Sequence, residues 1–84
     1  MDKYNGWDSY NHWNTALWLN NDERFYNKLC NKVEMALYHV CSRTQAIHEL
    51  LRDLPLATPD GENWNADVVE ELFDEMYNEQ LEYT

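Results

Sequence analysis

Apolar residues recur along this chain at the three- and four-residue spacing of amphipathic helices. The first such stretch follows Ser9, a good N-cap, and carries Tyr10, Trp13, Ala16 and Leu17. Trp18 and Leu19 widen its apolar face, and Asn20-Asn21 should stop it. Asn21 can cap a second helix, with Asp22 and Glu23 in its first turn, where negative charge suits the helix dipole. Its stripe is Tyr26, Leu29, Cys30, Val33, Ala36, Leu37 and Val40, which predicts a helix over roughly 22–42. Lys28, Asn31 and Lys32 fall on the other side.

Ser42 and Gln45 fit a capping box, and Ala46, Ile47, Leu50, Leu51 and Leu54 form the next stripe, closed by Pro55. The second and third stripes read equally as two helices or as one bent helix. Pro59-Asp60-Gly61 then marks a turn: proline sets φ and glycine admits a positive φ. The last helix starts at Asn63 or Asn65, and Val68, Val69, Leu72, Phe73, Met76, Tyr77 and Leu81 make its apolar side. The expected fold is a small all-α domain of three to four helices with an acidic C-terminal helix. Its parts are an aromatic-rich helical segment 1–54, a Pro/Gly loop 55–63 and the acidic helix 64–84. They make one domain, or two lobes joined at the loop.

Composition supports a packed core. The 84 residues include four Trp, six Tyr and two Phe, rings that bury on the order of 150–250 Å² each. Such aromatic mass argues against disorder. Met1-Asp2-Lys3-Tyr4 has neither a basic nor an apolar leader region, so no signal peptide is expected. No apolar run reaches the ~18 residues of a membrane span. Cys30 and Cys41 would lie about 16 Å apart along one helix, too far for a disulfide, and read as free core thiols of a reducing cytosol.

Charge changes the picture most. Six acids and six bases cancel within the first 52 residues. The last 32 hold ten acids and no base, and so carry the whole net charge of −10. Glu79 and Glu82, late in the final helix, oppose its dipole and repel the acids a turn earlier. A chain shaped by stability alone would place Lys there, so the acids point to a basic partner.

Motifs for other chemistry are missing. There is no glycine-rich phosphate loop, no CxxC and no HExxH, and His12, His39 and His48 lack metal-ligand spacing. The Asp60–Glu71 segment begins like a calcium loop, but Trp64 holds its fifth position and Asn65 its sixth, where glycine is needed. A non-enzymatic protein without cofactor or metal is expected. The candidate binding residues are Asp60, Glu62, Asp67, Glu70, Glu71, Asp74, Glu75, Glu79 and Glu82. From Asp67 to Glu82 a helix rises about 22 Å, giving about 3.8 Å per carboxylate. One DNA strand carries a charge every ~3.4 Å. Tyr77, Tyr83 and Trp64 are candidate aromatic anchors beside that row.

The run Gly6-Trp7-Asp8-Ser9-Tyr10-Asn11-His12-Trp13-Asn14-Thr15-Ala16-Leu17-Trp18-Leu19-Asn20-Asn21-Asp22 resembles the opening signature of a family of short phage and mobile-element proteins, GWxxYxxWNxALW[IL]xN[DE]. The resemblance covers the first quarter of the chain and continues weakly at Asn63-Trp64. It implies a folding core, with Trp13 and Trp18 packed on the second helix, and a phage or plasmid context. Small acidic helical proteins of that context are similar to anti-CRISPR and anti-restriction proteins, several of which mimic DNA. The resemblance itself implies context more than activity; taken with the charge asymmetry, that context makes the expected function a type I anti-CRISPR inhibitor that occupies the DNA-recruiting surface of the surveillance complex in the host cytoplasm. An anti-restriction mimic and an accessory protein that binds another basic host protein are the alternatives. In each case the partner is a basic protein surface, with no direct contact to nucleic acid or membrane, and the chain is expected to be a monomer.

Overall fold

The computed structural model describes residues 6–82. Four helices follow one another: α1 (Tyr10–Asn21), α2 (Glu23–Leu37), α3 (Arg43–Asp53) and α4 (Ala66–Glu82). The fold is all-α, as the periodicity predicts. α2 and α4 touch each other and both remaining helices, whereas α1 and α3 do not meet. The acidic helix therefore lies on the core and does not stand away from it. Leu19, Leu29, Val33, Leu50, Val68, Val69 and Phe73 are buried together at the centre.

Each boundary has a local cause. Ser9 caps α1, its hydroxyl accepting from His12 N–H at 3.2 Å. α1 runs through Asn21, whose side-chain amide donates to Leu17 C=O at 2.9 Å. Asp22, not Asn21, caps α2 by accepting from Arg24 N–H at 2.9 Å. The Arg24 guanidinium also pairs with Asp22, which holds that carboxyl below the usual carboxylate range. α2 ends five residues before the expected 42. There His39 takes the left-handed conformation with φ 60°, and two bonds close the end: His39 N–H to Ala36 C=O and Val40 N–H to Met35 C=O. This paired arrangement normally uses glycine at the left-handed position. A histidine there gives no sequence signal, so α2 and α3 are two separate helices that the pattern alone leaves unresolved.

α3 starts as predicted, with the Ser42 hydroxyl accepting from Gln45 N–H at 3.1 Å. The second half of the capping box is absent: the Gln45 side-chain oxygen does not accept from Ser42 N–H, and its amide donates to Glu49 at 3.0 Å. Leu54 closes α3 just before Pro55. Thr58-Pro59-Asp60-Gly61 forms a turn, with Gly61 N–H donating to Thr58 C=O at 2.8 Å and Gly61 at φ 88°. α4 starts one residue after Asn65, whose side chain accepts from Val68 N–H at 3.1 Å.

Two stripes sit differently from their predicted positions. On α2 the buried residues are Phe25, Leu29, Val33 and Ala36, while Tyr26 is 40% and Val40 68% exposed. Lys32 is not on the solvent side. It lies nearly covered between α2 and α3, 3.4 Å from Glu49 and 3.2 Å from Asp53. Burial pulls its pKa down, but the bonds to Asp53 and Glu49 outweigh that and raise it. On α1 the buried residues are Asn14, Thr15, Ala16 and Leu19, not Tyr10 and Trp13. Those two rings pack against each other nearer the surface, 5.7 Å between centroids.

The polar residues buried in α1 explain that shift. Asn14 accepts from the Thr58 hydroxyl at 2.6 Å and donates to Asp60 at 2.6 Å. Thr15 accepts from Asn65 N–H at 2.8 Å. Asn11 accepts from the Asn65 amide at 2.9 Å and donates to Asn63 C=O at 2.8 Å. Trp18 donates its indole N–H to Asp60 at 2.8 Å. One face of α1 thus ties down the connection before α4 and fixes where α4 begins.

Candidate functional site

α4 divides cleanly around its axis. Val68, Val69, Leu72 and Phe73 are buried, and Asp67, Glu70, Glu71, Asp74 and Glu75 occupy the opposite side. Their i, i+3, i+4, i+7 and i+8 spacing places them on one face of a straight helix. With Asn78 they line a shallow open groove. From Asp67 to Glu75 the helix rises about 12 Å, so these five carboxylates fall about 3 Å apart along the axis. Among the described residues, only Asp74 of the five has a cationic partner, Arg43 of α3. Arg43 is half exposed and reaches onto the face from its edge.

The other four candidates take different places. Asp60 and Glu62 belong to the turn that faces α1. Asp60 accepts from Trp18 and Asn14, and these bonds hold its carboxyl below the usual carboxylate range. Glu62 accepts from the Asn11 amide at 3.3 Å. Glu79 lies beside Tyr26 and Cys30, where α4 runs along α2. Glu82 is exposed at the end of α4.

One contributor is invisible to a reading of α4 alone. Asp8, from the neutral part of the chain, joins Asp67 and Glu71 around a cleft of about 460 Å³, with Trp7 and His12 on its walls. The acidic surface therefore continues past the start of α4 onto the segment before α1. Only the folded chain brings positions 59 or more residues apart together here.

The aromatic anchors also differ from expectation. Trp64 turns inward and meets Phe25 edge to face at 5.1 Å, and Tyr77 stacks on Phe73 at 6.2 Å. Both pack against the core, Trp64 from the segment before α4 and Tyr77 from α4 itself. Tyr83 lies outside the described residues. The exposed ring next to the acids is Tyr26 of α2. The Cys30 thiol beside it, then burial, then Glu79 push its phenol up.

Cys30 and Cys41 are both free and half-buried. Among the described residues no three His, Cys, Asp or Glu side chains are grouped to hold a metal ion. No described helix is long and apolar enough to cross a membrane.

These features define a small four-helix domain that buries one side of its last helix and displays a carboxylate face on the other. The chain belongs to a family of unknown function, DUF7249, which it matches over residues 1–84. No curated protein and no solved structure matches it.

Proposed function

We propose that the protein is a non-catalytic inhibitor that presents DNA-like charge to a basic groove. Its target in this reading is the DNA-recruiting surface of a type I CRISPR surveillance complex, in the cytoplasm of a phage-infected host. The observation that carries the reading is the face of α4: Asp67, Glu70, Glu71 and Glu75 are exposed and have no cationic partner among the described residues, on a helix whose other side is packed on the core. A helix fixed in this way holds its charges in register before any encounter, which lowers the ordering penalty of binding. Like-charged side chains spaced near the phosphate interval would pair with the Lys and Arg that otherwise hold the target strand. Attraction of this kind speeds encounter and weakens with salt.

The test is displacement of labelled target duplex from the purified surveillance complex. Wild-type protein should release the duplex, less so as salt rises. Asp67→Lys, Glu70→Lys and Glu71→Lys together should raise the half-displacing concentration at least about tenfold, equivalent to about 1.4 kcal/mol. These positions are exposed and leave the Arg43–Asp74 pair intact, so the fold should survive. Undiminished displacement by the folded triple variant would sink the mimicry reading.

A further inference from the structure

Next to the carboxylate face, a groove of about 250 Å³ runs between α2 and α4. Leu29 and Leu72 are buried at its floor, half-buried Cys30 and Met76 lie beside them, and the exposed polar side chains of Asn20 and Gln80 complete its walls. Tyr26 and Glu79 stand exposed at its rim. Glu75 lines both this groove and the acidic one, so the two surfaces are continuous. The volume is below the range of about 300–1,000 Å³ usual for small-molecule sites and suits one large side chain. Methionine adapts its shape to varied apolar guests, and an exposed tyrosine at a rim is a common contact of protein partners.

We infer that this groove seats one apolar side chain of the basic partner, flanked there by Lys or Arg that pair with Glu75 and Glu79. The inference rests on the proposed reading of α4 and adds that the partner is gripped by more than its charge. A carboxylate row alone offers a basic groove little that DNA does not. An apolar seat supplies a desolvated contact that salt does not screen, and such contacts usually dominate affinity. The partner's surface should therefore carry a protruding Leu, Met or Phe between basic residues.

Cys30 reports on the groove directly, and Cys41, in the α2–α3 connection, provides an internal reference. The wild-type chain would be alkylated with N-ethylmaleimide, and the rate at each cysteine followed by peptide mass mapping. Two synthetic helical peptides of equal length and equal positive charge would be added in turn, one of Lys and Leu, the other of Lys and Ser. The Lys/Leu peptide, at about ten times its Kd, should slow Cys30 alkylation about tenfold and leave Cys41 unchanged. The Lys/Ser peptide should leave both rates unchanged, because it can occupy the carboxylate face without filling the groove. Equal slowing by both peptides, or no slowing of Cys30 by either, overturns the inference. No CRISPR complex takes part in this experiment, so its result is independent of the displacement assay above.

Discussion

Asn14 has no exposed surface, yet its amide is fully engaged: the carbonyl accepts from Thr58, and the amino group donates to Asp60 and, at 3.4 Å, to the Tyr10 hydroxyl. Truncation would leave the buried Thr58 hydroxyl without its acceptor. Asn14→Ala should therefore cost about 2–3 kcal/mol, read from urea unfolding. Its neighbour Asp60 links the same network to pH. Bonds from Trp18 and Asn14 favour the ionised form and depress the folded pKa below the usual carboxylate range. A depressed carboxylate contributes stability above its unfolded pKa and loses it as pH falls through the folded one. Thermal melts taken from about pH 5 down to about pH 2 should show a steeper loss in the wild type than in Asp60→Asn, which stays neutral throughout. Parallel curves for the two proteins would show that Asp60 is not coupled to folding.

At the scale of elements, the end of α2 is the least expected feature. His39 sits where the backbone turns left-handed, a conformation that side chains beyond glycine tolerate poorly. His39→Gly should stabilise the protein by about 0.5–1 kcal/mol, measured by chemical unfolding and net of glycine's extra freedom in the unfolded chain. Unchanged or lower stability would mean that the imidazole makes a compensating contact. Helix type, the Ser9 and Ser42 caps, the Pro59–Gly61 turn and the apolar side of α4 as far as Tyr77 were legible in the sequence, because each depends on local spacing or a specific turn residue; Leu81, expected on that side, is exposed near the helix end. The boundary at His39 was not, because the residue that normally marks such a stop is missing. Nor was the inner face of α1, where Asn14 and Thr15 displace aromatic residues. Their partners lie 44 and 50 residues away, at Thr58 and Asn65, and no periodicity encodes such a pairing. The carboxylate row could be read from composition. The contribution of Asp8, the diversion of Asp60 and Glu62 to α1, and the groove beside Tyr26 required the packed helices.

The whole molecule combines a well-formed core with a charge distribution that works against it. Along α4, Asp67 faces Glu70 and Glu71, Glu70 faces Asp74, Glu71 faces Asp74 and Glu75, Glu75 faces Glu79, and Glu79 faces Glu82, all at three- or four-residue spacing. Each such like-charge pair destabilises a helix by about 0.2–0.5 kcal/mol. Against them, among the described residues, stand a few attractive contacts: Arg24 with Asp22, Lys32 with Glu49 and Asp53, and Arg43 with Asp74. Arg43 and Asp74 are more than a third exposed, so their pair adds little after solvent screening. Repulsion therefore dominates, and screening it should help the fold. Raising salt from about 0.01 M to about 0.5 M shortens the Debye length from ~30 Å to about 4 Å, less than the spacing of neighbouring side chains on the helix. Stability from urea titration should then rise by about 1–3 kcal/mol. Capture of a basic partner through the same face should weaken over the same range, since that attraction is screened as well. The two responses to salt have opposite signs because the same carboxylates repel one another in the free protein and are neutralised in the complex. A fold that loses stability as salt rises would mean that its ion pairs outweigh the acidic face. The strain on α4 would then no longer argue that its charges serve a partner.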